Sequence, residues 1–296
     1  MKAAHLPDRG IVKIAGDQAR GFLQGLVTAD IDKVKPGEPR FAALLTPQGK
    51  IVIDFIVIEA SAADGGGYFL DCPKALAGEL TTKLNFYKLR AKLMIQNLSD
   101  ELAVLATWDG AADSEYGLTY ADPRLAALGQ RTILPPDVIE DAVADLAATL
   151  VSPEDYDARR ISLGVPRGGL DFSYADAFPH ESDMDQLGGV DFDKGCYVGQ
   201  EVVSRMQHRG SARSRVVPVT YEGFAPEPGT AVMAGEKTVG TFGSSAHGHA
   251  LALLRLDRIE DAIAAGQALR AGGTAFTLVR PDWARFAFPG DTKAAE

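Results

Sequence analysis

The apolar runs of this chain are short, and that restricts its fold more than any other feature. The run Ile51–Ile58 carries one carboxylate, Asp54, and follows Phe41–Thr46 after the turn-forming Pro47, Gln48 and Gly49. Apolar runs of this kind bounded by Pro and Gly make the strands of a hairpin. They fall far short of the roughly 20 apolar residues that a membrane helix requires, so no membrane span is expected. Ahead of the hairpin, Ile11, Val12 and Ile14 read as a strand, and Ala19, Phe22, Leu23 and Leu26 take helical spacing after Gly16 and Asp17. Tyr68–Leu70 reads as a further strand. A helix starts at Pro73 and runs through Leu76, Leu80 and Leu84 to about Arg90, and a last strand covers Lys92–Ile95. Strands in hairpin order with one long helix predict an α+β layer, helix on antiparallel sheet.

The pattern continues with a strand at Leu102–Trp108 and a helix over Val138–Leu150, opened by Pro135, Pro136 and Asp137. A second helix begins at Ser152, Pro153 and Asp155 and should stop at Gly164, with Pro166 beyond it. After Arg213 the chain changes character. Val216–Tyr221, Ala231–Met233, Thr238–Phe242, Leu251–Leu256 and Thr274–Val279 are short strands between turn residues, as in a separate β-rich domain. Leu256–Ala265 fits a helix as well as it fits a continuing strand.

Charge and cysteine content exclude several functions. A formal net charge of −10 and a pI near 5.0 disfavour attraction to a phosphate backbone, so no direct nucleic-acid binding is expected. Cys72 and Cys196 are too few for a disulfide framework, and too few to hold an iron–sulfur cluster unaided. Met1–Arg9 has no apolar signal core, from which a cytoplasmic location is expected.

Chemistry concentrates in Asp193-Lys194-Gly195-Cys196-Tyr197-Val198-Gly199-Gln200-Glu201, where two glycines flank a lone thiol and a lysine precedes it by two residues. Lys194 so placed would favour thiolate if Cys196 were exposed; the alternative is a buried small hydrophobe. Downstream, Arg205, His208, Arg209, Arg213 and Arg215 occur without one intervening acid. Guanidinium forks suit carboxylates, whereas the plainer reading is a solvated strand face. Asp54 is either a proton-handling or amine-binding acid, or a structural acid bonded to backbone donors. Tyr156, on the helix before Gly164, covers a flat heterocycle or fills core. His247 and His249 lack further ligands at metal spacing and read as loop residues, so no metal site is expected.

The octapeptide Lys194–Glu201 resembles the signature of YgfZ-type proteins. Supporting stretches are Gln24–Asp30, Gly49-Lys50, Tyr87–Arg90, Gly164–Pro166, Phe178-Pro179 and Leu187–Val190, so the resemblance spans nearly the whole chain. It implies the aminomethyltransferase folate-binding fold of the GcvT-like superfamily: three domains around a central hole that takes tetrahydrofolate, the last a C-terminal β-barrel. On this reading residues 1–210 form a folate-binding α+β region of two intertwined subdomains, 1–35 with 101–210 and 36–100, and residues 211–296 form the barrel. The resemblance implies a monomeric folate-binding factor that assembles or repairs iron–sulfur clusters. Its partners are iron–sulfur enzymes or assembly proteins, tRNA-modifying enzymes among the clients.

The candidate catalytic groups are then Cys196, Lys194 and Asp54, and the candidate folate-binding groups are Tyr156, Arg205, Arg209, Tyr197, Gln200 and Glu201. Tyr156 stands where some relatives place a folate-stacking tryptophan, and Arg9 where another tryptophan is expected. In aminomethyltransferases a glutamate holds the pterin, but Ser162 stands at that position here. Asp54 matches the second carboxylate of their acidic pair, and Ile53 replaces the first. Two further readings stay open: an aminomethyltransferase of glycine-cleavage type, and a non-catalytic folate-binding scaffold.

Overall fold

The computed structural model describes residues 1–210 and 212–291. The chain forms two compact units, Met1–Tyr156 with Leu187–Gln200, and Asp157–Gln186 with the residues from Glu201 onward. In the first unit the strands are β1 (Lys2–His5), β2 (Arg9–Ala15), β3 (Arg40–Leu45), β4 (Ile51–Glu59), β5 (Tyr68–Pro73), β6 (Met94–Asn97), β7 (Ala103–Trp108), β8 (Leu118–Ala121), β9 (Gln130–Leu134) and β10 (Thr149–Leu150). Its helices are α1 (Ala19–Gln24), α2 (Lys74–Tyr87) and α3 (Ile139–Asp145).

One sheet has the order β3-β4-β5-β2-β6 and is antiparallel throughout. The β3–β4 hairpin turns where Pro47, Gln48 and Gly49 predict it, with Gly49 at φ 80° and its N–H donating to the Thr46 carbonyl at 2.8 Å. Leu80 and Leu84 of α2 join Ile14, Phe55 and Leu70 in the core of this layer. The second sheet, β10-β1-β7-β9-β8, packs Leu105 and Leu134 against Ile139 and Val143 of α3.

Two boundaries differ from the sequence pattern for local reasons. The helix over 138–150 stops at Asp145, because Ala147 takes a left-handed φ of 47° while its N–H and that of Ala148 return to the carbonyls of Ala144 and Val143. That pair of bonds frees Thr149 and Leu150 to lie parallel to β1. After α2, Leu89 is likewise left-handed at φ 47°, and the turn through Ala91 delays the next strand to Met94.

Helix α4 (Pro153–Ser162) ends as its sequence requires, with Gly164 at φ 76° and the Val165 N–H on the Arg160 carbonyl. Helix α5 (Gln200–Arg209) follows the signature loop. The remaining strands are β11 (Ser214–Tyr221), β12 (Ala231–Ala234), β13 (Lys237–Ala246), β14 (His249–Arg255), β15 (Leu269–Ala271) and β16 (Thr274–Leu278). They close into a barrel, β11-β14-β13-β12-β15-β16, leaving no open edge. Leu256–Ala264 is a helix, α6, because Ile259 and Ala262 at helical spacing enter the barrel core beside Phe242 and Leu254. No helix among the described residues is long and apolar enough to cross a membrane.

Candidate functional site

The signature loop is held at two points and exposed between them. Lys194 and Tyr197 are buried, while Gly195 and Cys196 face solvent. The Lys194 ammonium donates to three backbone carbonyls, of Gln24 at 2.8 Å and of Val27 and Ala29 at 2.7 Å each. An ammonium has three N–H bonds, so every donor is used within the carbonyl turn that follows α1. The Tyr197 ring lies beneath it, 5.0 Å from Nζ to centroid. Burial lowers the Lys194 pKa to about 8 against the opposing field of Asp30, Asp191 and Asp32, and burial raises Tyr197 to about 12. The geometry thus gives Lys194 the role of anchor for the thiol-bearing loop.

The rest of the loop explains why it sits there. Thr28, fully buried, donates its hydroxyl to the Gly189 carbonyl at 2.6 Å and accepts the Ala43 N–H at 2.8 Å. Lys33 pairs with Asp191 at 2.5 Å. Gly199 has φ +84°, and a Cβ there would lie 2.6 Å from the Thr46 carbonyl oxygen, so the loop closes against the β3–β4 turn only with glycine. Gly195 is different: a Cβ there meets nothing within 4 Å. Tyr197 and Gln200 bond one another, the Gln200 Oε1 accepting the Tyr197 N–H at 3.3 Å, as α5 begins. Glu201 lies exposed on the first turn of α5 and takes Arg205 at 2.7 Å. Arg205, His208 and Arg209 lie on this helix, and only Arg213 and Arg215 flank or join a strand. The strand-face reading therefore fails for the first three, whose i, i+3, i+4 spacing signals a helix.

A second cluster lies inside the same unit, and the sequence pattern had not revealed most of it. Arg9 on β2 donates to Asp71 on β5 at 2.6 Å, and Arg131 on β9 reaches Asp71 at 2.6 Å and Asp122 at 3.0 Å. Arg124 closes on Asp122 at 2.6 Å, and the Tyr120 hydroxyl donates to Asp71 at 2.9 Å. Asp71 is fully buried; burial works against its charge, but Arg9 and Arg131 hold its pKa below the usual carboxylate range. Asp122 is likewise held low, with Arg124 and Arg131 overcoming burial. Asp54, 8% exposed on β4, lies in the field of Arg9. The signal for this cluster was present: Asp71 interrupts the apolar Tyr68–Cys72 as Asp54 interrupts Ile51–Ile58.

Tyr156 borders this cluster. Its ring is 5% exposed, tilted against Trp108 at 5.5 Å between centroids, with Arg131 over it at 5.9 Å. In this conformation it offers no free face to a pterin. Ser162 is exposed and donates to the Arg159 carbonyl at 2.8 Å within its own helix. Cys72 is fully buried, and burial pushes its thiol up to about 12, which leaves Cys196 as the accessible thiol. No group of three or more potential metal ligands occurs among the described residues.

Comparison with known proteins fits this architecture. Residues 213–286 match the model of the CAF17 C-terminal β-barrel domain. Over 97% of its length the chain superimposes on 87% of the glycine cleavage system aminomethyltransferase T from Bartonella henselae, with a TM-score of 0.76 and 14% identity, a likeness of fold alone. The fold is therefore of the aminomethyltransferase type. The sequence narrows this further. It is 35% identical to the mitochondrial iron–sulfur cluster assembly factor IBA57 homolog of Pyricularia oryzae across 92% of this chain and 77% of that protein, and 31% identical to mitochondrial IBA57 of Mus musculus across 94% and 84%. A third homolog, from Mycosarcoma maydis, is 34% identical over 74% of this chain, which spans 57% of that protein's length. The chain belongs to the IBA57 family of iron–sulfur cluster assembly factors. The cytoplasmic expectation is corrected by the same finding: these relatives are mitochondrial proteins, and the lack of an apolar signal core at Met1–Arg9 does not bear on that compartment.

Proposed function

We propose that this protein is a tetrahydrofolate-binding factor of YgfZ type, supporting the assembly or repair of iron–sulfur clusters in client enzymes that include tRNA-modifying ones. The observation that carries the reading is the exposed Cys196, set between the buried anchors Lys194 and Tyr197 in a member of an iron–sulfur assembly family. Clusters are generally held by four ligands, and one thiolate supplies one of them. With Cys72 buried, the remaining ligands come from a partner, so the cluster is cargo shared across a transient complex. The link to tRNA then runs through the client enzymes, and an acidic protein needs no RNA contact of its own.

The folate part of the proposal rests on residue chemistry. Asp54 is an acid of the kind that orients an amine nitrogen, and, taken separately, Arg209 and the Glu201-paired Arg205, exposed on α5, carry guanidinium groups of the kind that holds glutamate carboxylates. Tyr156 as placed does not fit a stacking role. Titration of the purified protein with tetrahydrofolate, followed by tyrosine and tryptophan fluorescence, is expected to give saturable quenching that Asp54→Asn weakens at least tenfold and Tyr156→Phe leaves within twofold. Absence of saturable binding would remove folate from the proposal and leave the thiol role to be tested separately. The aminomethyltransferase reading draws on fold likeness and on Asp54, while Ser162 in place of the pterin-holding glutamate and the Cys196 signature count against it.

A further inference from the structure

The free edge of the first sheet carries a surface that the Cys196 loop does not account for. Strand β6 is the last in the order β3-β4-β5-β2-β6, so its outer backbone groups face no neighbouring strand in the sheet. Two large apolar side chains are exposed at the end of α2 and in the turn that follows, Phe86 at 76% and Leu89 at 83%, and a third, Met94 at 48%, opens β6 itself. Tyr87, by contrast, packs into the core, so the outward set of Phe86 is specific to that position. Leu89 occupies the site after the helix cap at φ 47°, where a glycine or asparagine would sit with less strain. Folding alone gives no reason for an exposed leucine there.

The charge around these residues is one-sided. From Lys83 to Ser99 the chain carries Lys83, Lys88, Arg90 and Lys92 and no acid, within a protein of net charge −10. Lys83 pairs with Glu79, and Lys88 donates to the Leu93 carbonyl at 3.0 Å. Arg90 and Lys92 are exposed, and among the described residues their charged groups have no side-chain partner. A free strand edge, an apolar knob and unpaired cations therefore adjoin one another.

We infer that this edge docks an extended acidic segment of a partner protein, which adds a strand to β6, covers Phe86, Leu89 and Met94 with apolar side chains and sets carboxylates against Arg90 and Lys92. Strand addition pairs the open backbone groups of the edge, which a lipid surface cannot do, and this favours a protein partner over an anionic membrane. The inference does not depend on folate binding or on the thiol.

The test uses the full chain and a fluorescein-labelled peptide of alternating Glu and Leu or Val residues, followed by anisotropy at low and high salt. Saturable binding is expected, weakened at least tenfold by Leu89→Asp and by the pair Arg90→Glu with Lys92→Glu, and unchanged by Arg270→Glu on the barrel. Leu89→Asn should also weaken binding while raising Tm, a combination that a structural role for Leu89 does not produce. No saturable binding, or binding indifferent to the Leu89 and Arg90/Lys92 variants, overturns the inference. Binding to phosphatidylserine vesicles in place of the peptide overturns it in favour of a membrane surface.

Discussion

Lys194 and Gly199 do the local work of presenting Cys196, and each can be tested alone. The Lys194 pKa near 8 lies below its ordinary value, so between about pH 8 and the usual lysine range the unfolded chain binds more protons than the folded one. Stability contributed by this residue is therefore full above the unfolded value and is lost as pH falls through about 8. Urea midpoints measured at pH 7.5 and 9.5 should rise with pH by more in the natural protein than in Lys194→Met. That variant also leaves three carbonyls without their donor, at a cost of about 2–4 kcal/mol. Gly199→Ala places a Cβ against the Thr46 carbonyl at positive φ and is expected to cost about 1–3 kcal/mol. Gly195→Ala should fall within about 0.5 kcal/mol. Thermal unfolding of both, with the rate at which Cys196 reacts with a disulfide reagent, checks the pair: Gly199→Ala should change the rate and Gly195→Ala should not.

Between elements, the buried ionic cluster fastens β2 and β5 of one sheet to β8 and β9 of the other through Asp71. Arg131→Met leaves Asp71 and Asp122 short of a cation in the interior and should destabilise the protein by about 3–5 kcal/mol, read from urea unfolding at pH 7. Both carboxylates have folded pKa values below normal, so their contribution is present above the unfolded value of about 3.9 and is lost as pH falls through the folded ones. The loss of Tm between pH 5 and 3 should accordingly shrink in Asp122→Asn. The elements themselves were legible in proportion to their apolar period. The β3–β4 hairpin, α2 and the barrel strands other than the three-residue β15 announced themselves through runs such as Ile51–Ile58 and Leu76–Leu84. β8, β9 and α5 did not: β9 is broken by the buried Arg131, and α5 buries only Val203, so its polar faces gave no stripe to read. The same holds at the site. Cys196 stood out by its flanking glycines, whereas the partners of Lys194 are backbone carbonyls, which no sequence pattern marks.

At the scale of the molecule, an aminomethyltransferase-type fold with a closed C-terminal barrel belongs here to an iron–sulfur assembly family, so the fold by itself does not fix the chemistry. A transferase would place its chemistry at the folate. On the function proposed above, an assembly factor needs one accessible ligand and a surface for a partner, and the exposed Cys196 is the thiol available for the first. The most direct test is maturation of a [4Fe–4S] enzyme in cells that lack their own IBA57-family member, complemented with the natural chain, Cys196→Ala or Gly195→Ala at matched protein levels. The account predicts restored enzyme activity with the natural chain and with Gly195→Ala, and at least a tenfold loss with Cys196→Ala. Full restoration by Cys196→Ala would contradict it.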